Sequence, residues 1–300
     1  MPSPTLAFET AAADSKKRLD HYLHEKLPQY SRARLQNWIK DGRVLLNGAP
    51  AKTATLLRGG EGISVTPGDM APLKAEPEDQ PLEILYQDAS VLAINKPEGL
   101  VVHAGAGHHA GTLVNRLVHH FSGLSKLGGD LRPGIVHRLD KGTSGVLLVA
   151  RDDMGHQALA AQFAKRTVEK TYLALVQGVV KKEEGKITTP ITRDPLRRTR
   201  MTTKLGHGRA ALTEYRVKKR FAKFTYLEVR IGTGRTHQIR VHLSSIGHPV
   251  AGDRLYGAAG AERIFLHAWK IAFISPASGK RVEVEAPLPE TWTNWFMGLE

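Results

Sequence analysis

The sequence contains no cysteine. Disulfides, thiolate zinc sites and cysteine nucleophiles are excluded together by that one absence. Long apolar runs are missing as well: none approaches the ~18 residues of a membrane-spanning helix. The opening residues MPSPTLAFET carry neither the basic stretch nor the apolar core of a secretion signal. A cytoplasmic protein with no membrane partner is therefore the expectation. There is no Gly-x-Ser-x-Gly elbow and no phosphate-loop Gly-Lys-Ser/Thr, so serine-hydrolase and NTPase chemistry fall away. The fourteen histidines invite a metal, but His103/His108 and His237/His242 have neither metalloprotease nor deaminase spacing. Residues 105–111 mimic a dinucleotide-binding loop, yet the last glycine comes one position late and no strand with an acidic end follows. Neither metal nor cofactor is expected.

Negative charge is also in short supply. Against 29 Asp and Glu stand 43 Lys and Arg, a formal net charge of +14. Such a balance creates a field that concentrates polyanions and speeds their capture. The excess is concentrated near the start, where ten basic residues between Lys16 and Arg58 face only Asp20, Glu25 and Asp41.

With 300 residues, about two domains are expected. Residues 1–15 read as a flexible N-terminus. From Lys17 to Leu27 the spacing of Leu19, Leu23 and Leu27 predicts a helix, which Pro28 ends. Ser31 is suited to cap a second helix, whose Leu35, Trp38 and Ile39 face inward. Val44-Leu45-Leu46 then runs into Asn47-Gly48, a hairpin signal, and a short strand follows near Ile63 to Val65. These pieces make a compact module over residues 16–66. Pro67, Pro72, Pro77 and Pro81, mixed with acidic residues, mark residues 67–81 as a linker. Over residues 82–300, strands around 84–86, 91–94, 101–102, 145–150, 172–180 and 224–231 outnumber helices at 112–120, 153–165 and 236–246. Without regular βαβ alternation, this predicts an α+β domain on a mixed or antiparallel sheet.

Residues 134–150 are the most informative. Two apolar strands joined by a short polar loop would hold Asp140 on a rigid base between Arg138 and Lys141, cations that favour the ionised carboxylate. Such a carboxylate is a competent nucleophile toward an electron-poor sugar carbon or a polarised ring. For an arbitrary Asp, a salt bridge within a turn is the commoner role. The segment His137-Arg138-Leu139-Asp140, followed by Thr143-Ser144-Gly145, resembles the signature of the RluA-type pseudouridine synthases. That resemblance implies that Asp140 is the nucleophile and that Arg138 enters the RNA stack to help expel the target nucleotide. Further pieces match in order. Tyr172, in Glu169-Lys170-Thr171-Tyr172, resembles the active-site tyrosine against the flipped base. Gly232 and Gly234 allow a tight turn, and Thr236 is suited to cap the helix that follows. The resemblance implies that Arg235, in the stretch 233–242, pairs with Asp140 and holds it ionised. Residues 95–103 resemble the opening motif, near the cleft. Residues 265–268 resemble the closing one, in which Leu266 packs beside the base.

The basic module is similar to the S4 RNA-binding domain through Arg18-Leu19-Asp20, residues 30–34 and residues 42–48, with Arg32, Arg34 and Arg43 offered to the RNA backbone. The basic runs at 193–204 and 216–223, read as loops, would add phosphate contacts. Residues 101–107 and the S4-like module together resemble family members acting on large-subunit ribosomal RNA, with the helix 69 stem-loop as substrate and ribosomal RNA or a pre-ribosomal particle as partner of a monomer. The resemblance implies isomerisation of uridine to pseudouridine by base flipping and rearrangement of an N- to a C-glycoside, without a cofactor. Attack on the sugar, attack on the ring, and proton abstraction all remain open to Asp140 at this stage. The same chemistry on tRNA or another ribosomal RNA site, and a non-catalytic RNA-binding assembly protein, are the competing readings.

Overall fold

The fold is described from a computed structural model, covering residues 5–30, 32–68, 75–104, 110–257 and 261–298. The chain divides into two compact units, Met1–Leu73 and Lys74–Glu300.

The first unit contains β1 (Leu6–Glu9), α1 (Leu19–Lys26), α2 (Arg32–Lys40), β2 (Val44–Leu46), β3 (Ala49–Pro50) and β4 (Gly62–Val65). The strands form one antiparallel sheet in the order β1-β4-β2-β3. Leu19, Tyr22 and Leu23 of α1 meet Leu35, Trp38 and Ile39 of α2 over Val44, Ile63 and Val65. This is the core that the helical spacing predicted. Asn47 and Gly48 both have positive φ, 50° and 77°, as the tight hairpin they signal requires. The Asn47 side chain also accepts from the Gly62 amide at 2.8 Å. The expectation of a flexible start needs correction: β1 pairs with β4 from Leu6↔Val65 to Glu9↔Gly62, and Leu6 and Phe8 pack on the core. Ser31, the expected cap of α2, lies outside the described residues.

The second unit contains β5 (Ile84–Gln87), β6 (Val91–Lys96), α3 (Leu113–His120), β7 (Ser144–Ala150), α4 (Asp153–Lys165), β8 (Glu169–Gln177), β9 (Glu184–Ile187), β10 (Thr192–Arg193), β11 (Met201–Thr202), β12 (Thr213–Arg220), β13 (Phe224–Ile231), α5 (Gln238–Ser245), β14 (Leu266–Ile274), β15 (Arg281–Glu285) and α6 (Glu290–Met297). One long sheet runs β5-β6-β7-β14-β8-β13-β12-β9, with β15 also on β14. Every pairing is antiparallel except β7 with β14, so the unit is α+β on a mixed sheet. All seven residues of β7 are buried, the pattern of a strand covered on both faces. Gly145 lies where β7 and β14 run closest. Its φ is +110°, and an added Cβ would collide with the Ala268 carbonyl.

The part of the expected linker that is described, residues 75–81, is anchored. Glu78 N donates to Asn115 O at 3.0 Å, and Asn115 Nδ2 donates to Glu76 O at 2.7 Å. Two other expectations change. The basic run 216–223 is largely strand β12, whose cations meet carboxylates on neighbouring segments, as in Arg220–Glu183 at 2.7 Å and Arg216–Glu184 at 3.6 Å. The run 193–204 is the β10–β11 hairpin. Among the described residues, no helix is long and apolar enough to cross a membrane.

Candidate active site

Asp140 lies on the loop that feeds β7. Only one true strand borders this loop, because Ile135 makes just an isolated bridge to Val149. The ladder is continued instead by a side chain: Leu148 N donates to His137 Nε2 at 2.8 Å. Burial pushes the His137 imidazole down to about 3, so it remains the neutral acceptor this bond needs. Its ring stacks on Phe163 of α4 at 4.5 Å.

The loop is fixed from below by Lys96, a fully buried lysine at the end of β6. Its ammonium donates to the carbonyls of Pro97 at 2.8 Å, Leu100 at 2.9 Å and Lys141 at 3.4 Å. Burial pushes Lys96 down to about 7, against the pull of Asp140 and Glu98. Gly99 N adds a bond to Lys141 O at 2.8 Å. Glu98 in turn meets Arg263 Nε at 3.1 Å, and Arg263 Nη2 donates to Ser144 Oγ at 3.0 Å. The opening motif thus acts as the base of the Asp140 loop.

The cation that holds Asp140 comes from α5. Arg240 Nη1 donates to Asp140 Oδ2 at 3.1 Å. The rest of its guanidinium forks onto Asp253, Nε to Oδ2 at 2.6 Å and Nη2 to Oδ1 at 2.9 Å. Arg240 is 6% exposed and Asp253 fully buried. Burial opposes the Arg240 charge, but the bonds to Asp253 and Asp140 outweigh it and hold the guanidinium above its ordinary range. The expected pairing of Arg235 with Asp140 is therefore corrected. Arg235 borders the same cavity, but its Nε turns to the Ala210 carbonyl at 3.2 Å. The α5 start also differs from expectation: His237, not Thr236, is the N-cap, with φ 55° and no side-chain capping bond. Gln238 Oε1 instead accepts from Thr233 Oγ1 at 2.7 Å and Arg235 N at 3.0 Å.

Beside Asp140 opens a cavity of about 110 Å³, whose walls include Arg138, Asp140, Tyr172, Ile231, Arg235, His237, Arg240 and Leu266. Tyr172 and Leu266 come from adjoining strands, with Ala268↔Tyr172 and Leu266↔Ala174 in register. Burial, and then the charge of Asp140, push the Tyr172 phenol up. A cleft of about 930 Å³ shares Arg138, Asp140, His237 and Arg240 and adds His103, Lys141, Arg254 and Arg263. Arg138 is exposed and lines both spaces. Asp140, Tyr172, Arg138 and Leu266 are thus brought together. Arg240, Lys96 and Asp253 join them without having been singled out from the sequence, and so does His237, which was weighed there only as a metal ligand. Among the described residues no cluster of three or more His, Asp or Glu is placed to hold a metal ion.

In the first unit, Arg32 holds Asp20 through Nη2 at 2.8 Å and Nε at 3.1 Å. Arg18 and Gln36 share that carboxylate. Arg34 is half-buried, whereas Arg43 is exposed beside Trp38 and Gly68.

The catalytic candidates thus sit on a mixed sheet, a carboxylate on the loop before a buried strand and a tyrosine two strands away lining the same cavity. Residues 90–245 match the family described as RNA pseudouridylate synthase, and residues 17–63 match the S4 domain. The chain is 43% identical over 285 residues to an uncharacterised RNA pseudouridine synthase, YlyB, of Bacillus subtilis, covering 94% of each chain. It is likewise 43% identical over 290 residues to ribosomal large subunit pseudouridine synthase D of Xanthomonas campestris, covering 91% of this chain and 86% of that one. Among solved structures, human RNA pseudouridylate synthase domain containing 1 aligns with a TM-score of 0.59 and 29% identity, over 71% of this chain and 86% of that one. The chain belongs to the RNA pseudouridine synthase family and carries an S4 domain ahead of its catalytic unit.

Proposed function

We propose that this enzyme isomerises uridine to pseudouridine in large-subunit ribosomal RNA, at the helix 69 stem-loop, with Asp140 as its nucleophile. The observation that carries the reading is the Asp140 carboxylate held by buried Arg240 at 3.1 Å beside a cavity lined by Tyr172 and Leu266. The relatives named ribosomal large subunit pseudouridine synthase D favour the ribosomal target.

A stacked base is out of reach, so the uridine must leave the helix. Exposed Arg138, which lines the cavity, is placed to enter the vacated stack, where a guanidinium plane can replace a base. The base then lies against Tyr172 and Leu266. Asp140 attacks the bound nucleotide, the bond from C1′ to N1 breaks, the uracil turns, and C1′ bonds to C5 while the bond to Asp140 breaks and releases the carboxylate. N1 ends with a proton and C5 loses one. With its phenol held protonated by burial, Tyr172 supports the base by stacking and passes the C5 proton through water rather than acting as a phenolate. In the S4 unit, Arg34 and Arg43 contribute phosphate contacts, while Arg32 serves chiefly through Asp20.

Tritium release from 5-tritiated uridine in a helix 69 transcript tests this. Wild type releases tritium and Asp140→Ala does not. Release by the variant would discard the nucleophile and keep the enzyme. Release by neither, with activity on a tRNA transcript, would move the same chemistry to another RNA. Binding without release on any RNA tried would favour a non-catalytic assembly role.

A further inference from the structure

Asp140 has a second neighbour that the pairing with Arg240 leaves unexplained. His237 Nε2 stands 3.9 Å from Asp140 Oδ2, the oxygen that Arg240 already holds. The other ring nitrogen, Nδ1, is 3.1 Å from the hydroxyl of Tyr256, and the two rings meet edge to face at 5.7 Å. Tyr256 is 3% exposed. Its hydroxyl oxygen also accepts from Met201 N, on the basic hairpin, at 2.8 Å. The guanidinium groups of Arg200 and Arg240 lie 5.0 Å and 5.3 Å from its ring.

The proton arrangement follows from counting donors. A tyrosine hydroxyl has one hydrogen to give and two lone pairs to receive. Met201 N–H occupies one lone pair, so the hydrogen needs an acceptor, because a buried unpaired donor is costly. His237 Nδ1 is within reach. Accepting there requires Nδ1 to be bare, which places the proton of the neutral imidazole on Nε2, facing Asp140.

We infer that Tyr256 is a positioning residue that fixes His237 with Nε2–H directed at Asp140, so that the nucleophile is seated by two donors on Oδ2 and presents Oδ1 to the nucleotide. Hydrogen bonds to nitrogen donors span about 2.9 Å, so the His237 contact, at 3.9 Å, has to close by about 1 Å to become one. The left-handed backbone of His237, φ 55°, is retained because the ring is gripped at Nδ1. The charged groups around the ring are Asp140, Arg240, Asp253 and Arg138. The chain Met201–Tyr256–His237–Asp140 also links the basic hairpin to the nucleophile, so the hairpin's seat sets the tautomer at the reacting carboxylate.

This inference rests on Asp140 being the nucleophile, and its test separates the two. Tyr256→Phe keeps the ring between the two guanidiniums and removes only the hydroxyl. In the full chain, on the RNA from which wild type releases tritium, it lowers kcat about tenfold, the lower end of the range for losing a partner that orients a metal-bound histidine, with KM unchanged. In a His237→Gln background, the same change costs nothing further. Because Tyr256→Phe also removes the acceptor of Met201 N, the thermal midpoint falls by a few degrees. A second variant, Met201→Pro, which removes the same hydrogen bond and keeps the hydroxyl, sets the part of the kcat loss that belongs to stability. Additive losses in the double variant, or a kcat loss no greater than that of Met201→Pro, would reduce Tyr256 to a packing role. Independently of any RNA, ring-nitrogen NMR, assigned by the signals missing from His237→Gln, shows bare Nδ1 and protonated Nε2 in wild type and loses that preference in Tyr256→Phe. A protonated Nδ1 in wild type would overturn the inference outright. If Asp140→Ala kept its activity, the nucleophile reading would fall whatever the tautomer.

Discussion

Burying a guanidinium between two carboxylates removes the water that would otherwise solvate all three, so each group depends on the others. Arg240 and Asp253 are the closed part of this set, and Asp140, whose side chain is 20% exposed, is the open end. Arg240→Lys keeps a charge but loses the fork that serves Asp253 and Asp140 together. It should lower kcat for tritium release by about 100-fold or more, in the range for losing a preorganised donor. Arg235→Ala, which gives up one bond to a carbonyl, should leave kcat within a few-fold. Arg240→Ala should in addition lower stability by about 3–5 kcal/mol, since it leaves Asp253 buried and unpaired. Equal losses for Arg235→Ala and Arg240→Lys would contradict this ordering. The motif around residues 233–242 pointed to the right turn of chain but the wrong arginine. Spacing alone did not show that Arg240, between Ile239 and Val241, shares the buried side of α5. That Asp140, Tyr172, Arg138 and Leu266 would line one cavity was legible because a family motif, long for the first and third and short for the other two, covers each. Tyr256 and Asp253 were not, since only folding brings the 250–257 turn beside α5.

At the scale of elements, the helices and strands with strong periodicity were legible, such as α3 at 113–120 and β13 at 224–231. The elements that escaped were masked by charge or brevity. β12 buries Thr213 and Tyr215 while its exposed face carries the basic residues that made it read as a loop. β1 is four residues long and acquires its meaning only from β4. One tie between elements gives a sharp prediction. Asp20 of α1 is fully buried. Burial alone would raise its carboxyl, but Arg18, Arg32 and Gln36 outweigh that and hold it far below the ordinary range. A depressed folded-state value means that the unfolded chain takes up the proton first as pH falls. The stabilisation is therefore full above the unfolded value of about 3.9 and is lost progressively below it. Asp20→Asn should weaken the first unit at pH 7, by about 3–5 kcal/mol if the arginines are left unpaired. Relative to wild type it should flatten the loss of stability between about pH 4 and pH 2. Urea unfolding at several pH values checks both, and a mutant with the wild-type acid limb would show that Asp20 is not the group responsible.

The whole molecule separates recognition from chemistry along the chain. The sequence placed the boundary in the proline-rich stretch 67–81, and the two units part between Leu73 and Lys74. What composition could not show is that residues 75–81 are bound to α3, because that needs the Asn115 and His120 side chains in place. Removing residues 1–73 should weaken RNA binding and reduce the slope of log affinity against log salt by about 0.7 to 0.9 per lost phosphate contact. Tritium release at saturating RNA should survive. An unchanged salt slope would mean that the S4 unit is not a docking surface.

The order of strands has a consequence in time. β14 lies between β7 and β8, parallel to the one and antiparallel to the other, and it brings Leu266 to the site only after Asp140 and Tyr172 have been made. Until that late strand inserts, Asp140 and Tyr172 belong to two halves of a sheet with a gap between them. A chain still emerging from a ribosome is thus surrounded by the very class of RNA we propose as its substrate, yet has no assembled centre with which to modify it. Catalytic competence arrives with the closing of the sheet, so it cannot precede the synthesis of β14.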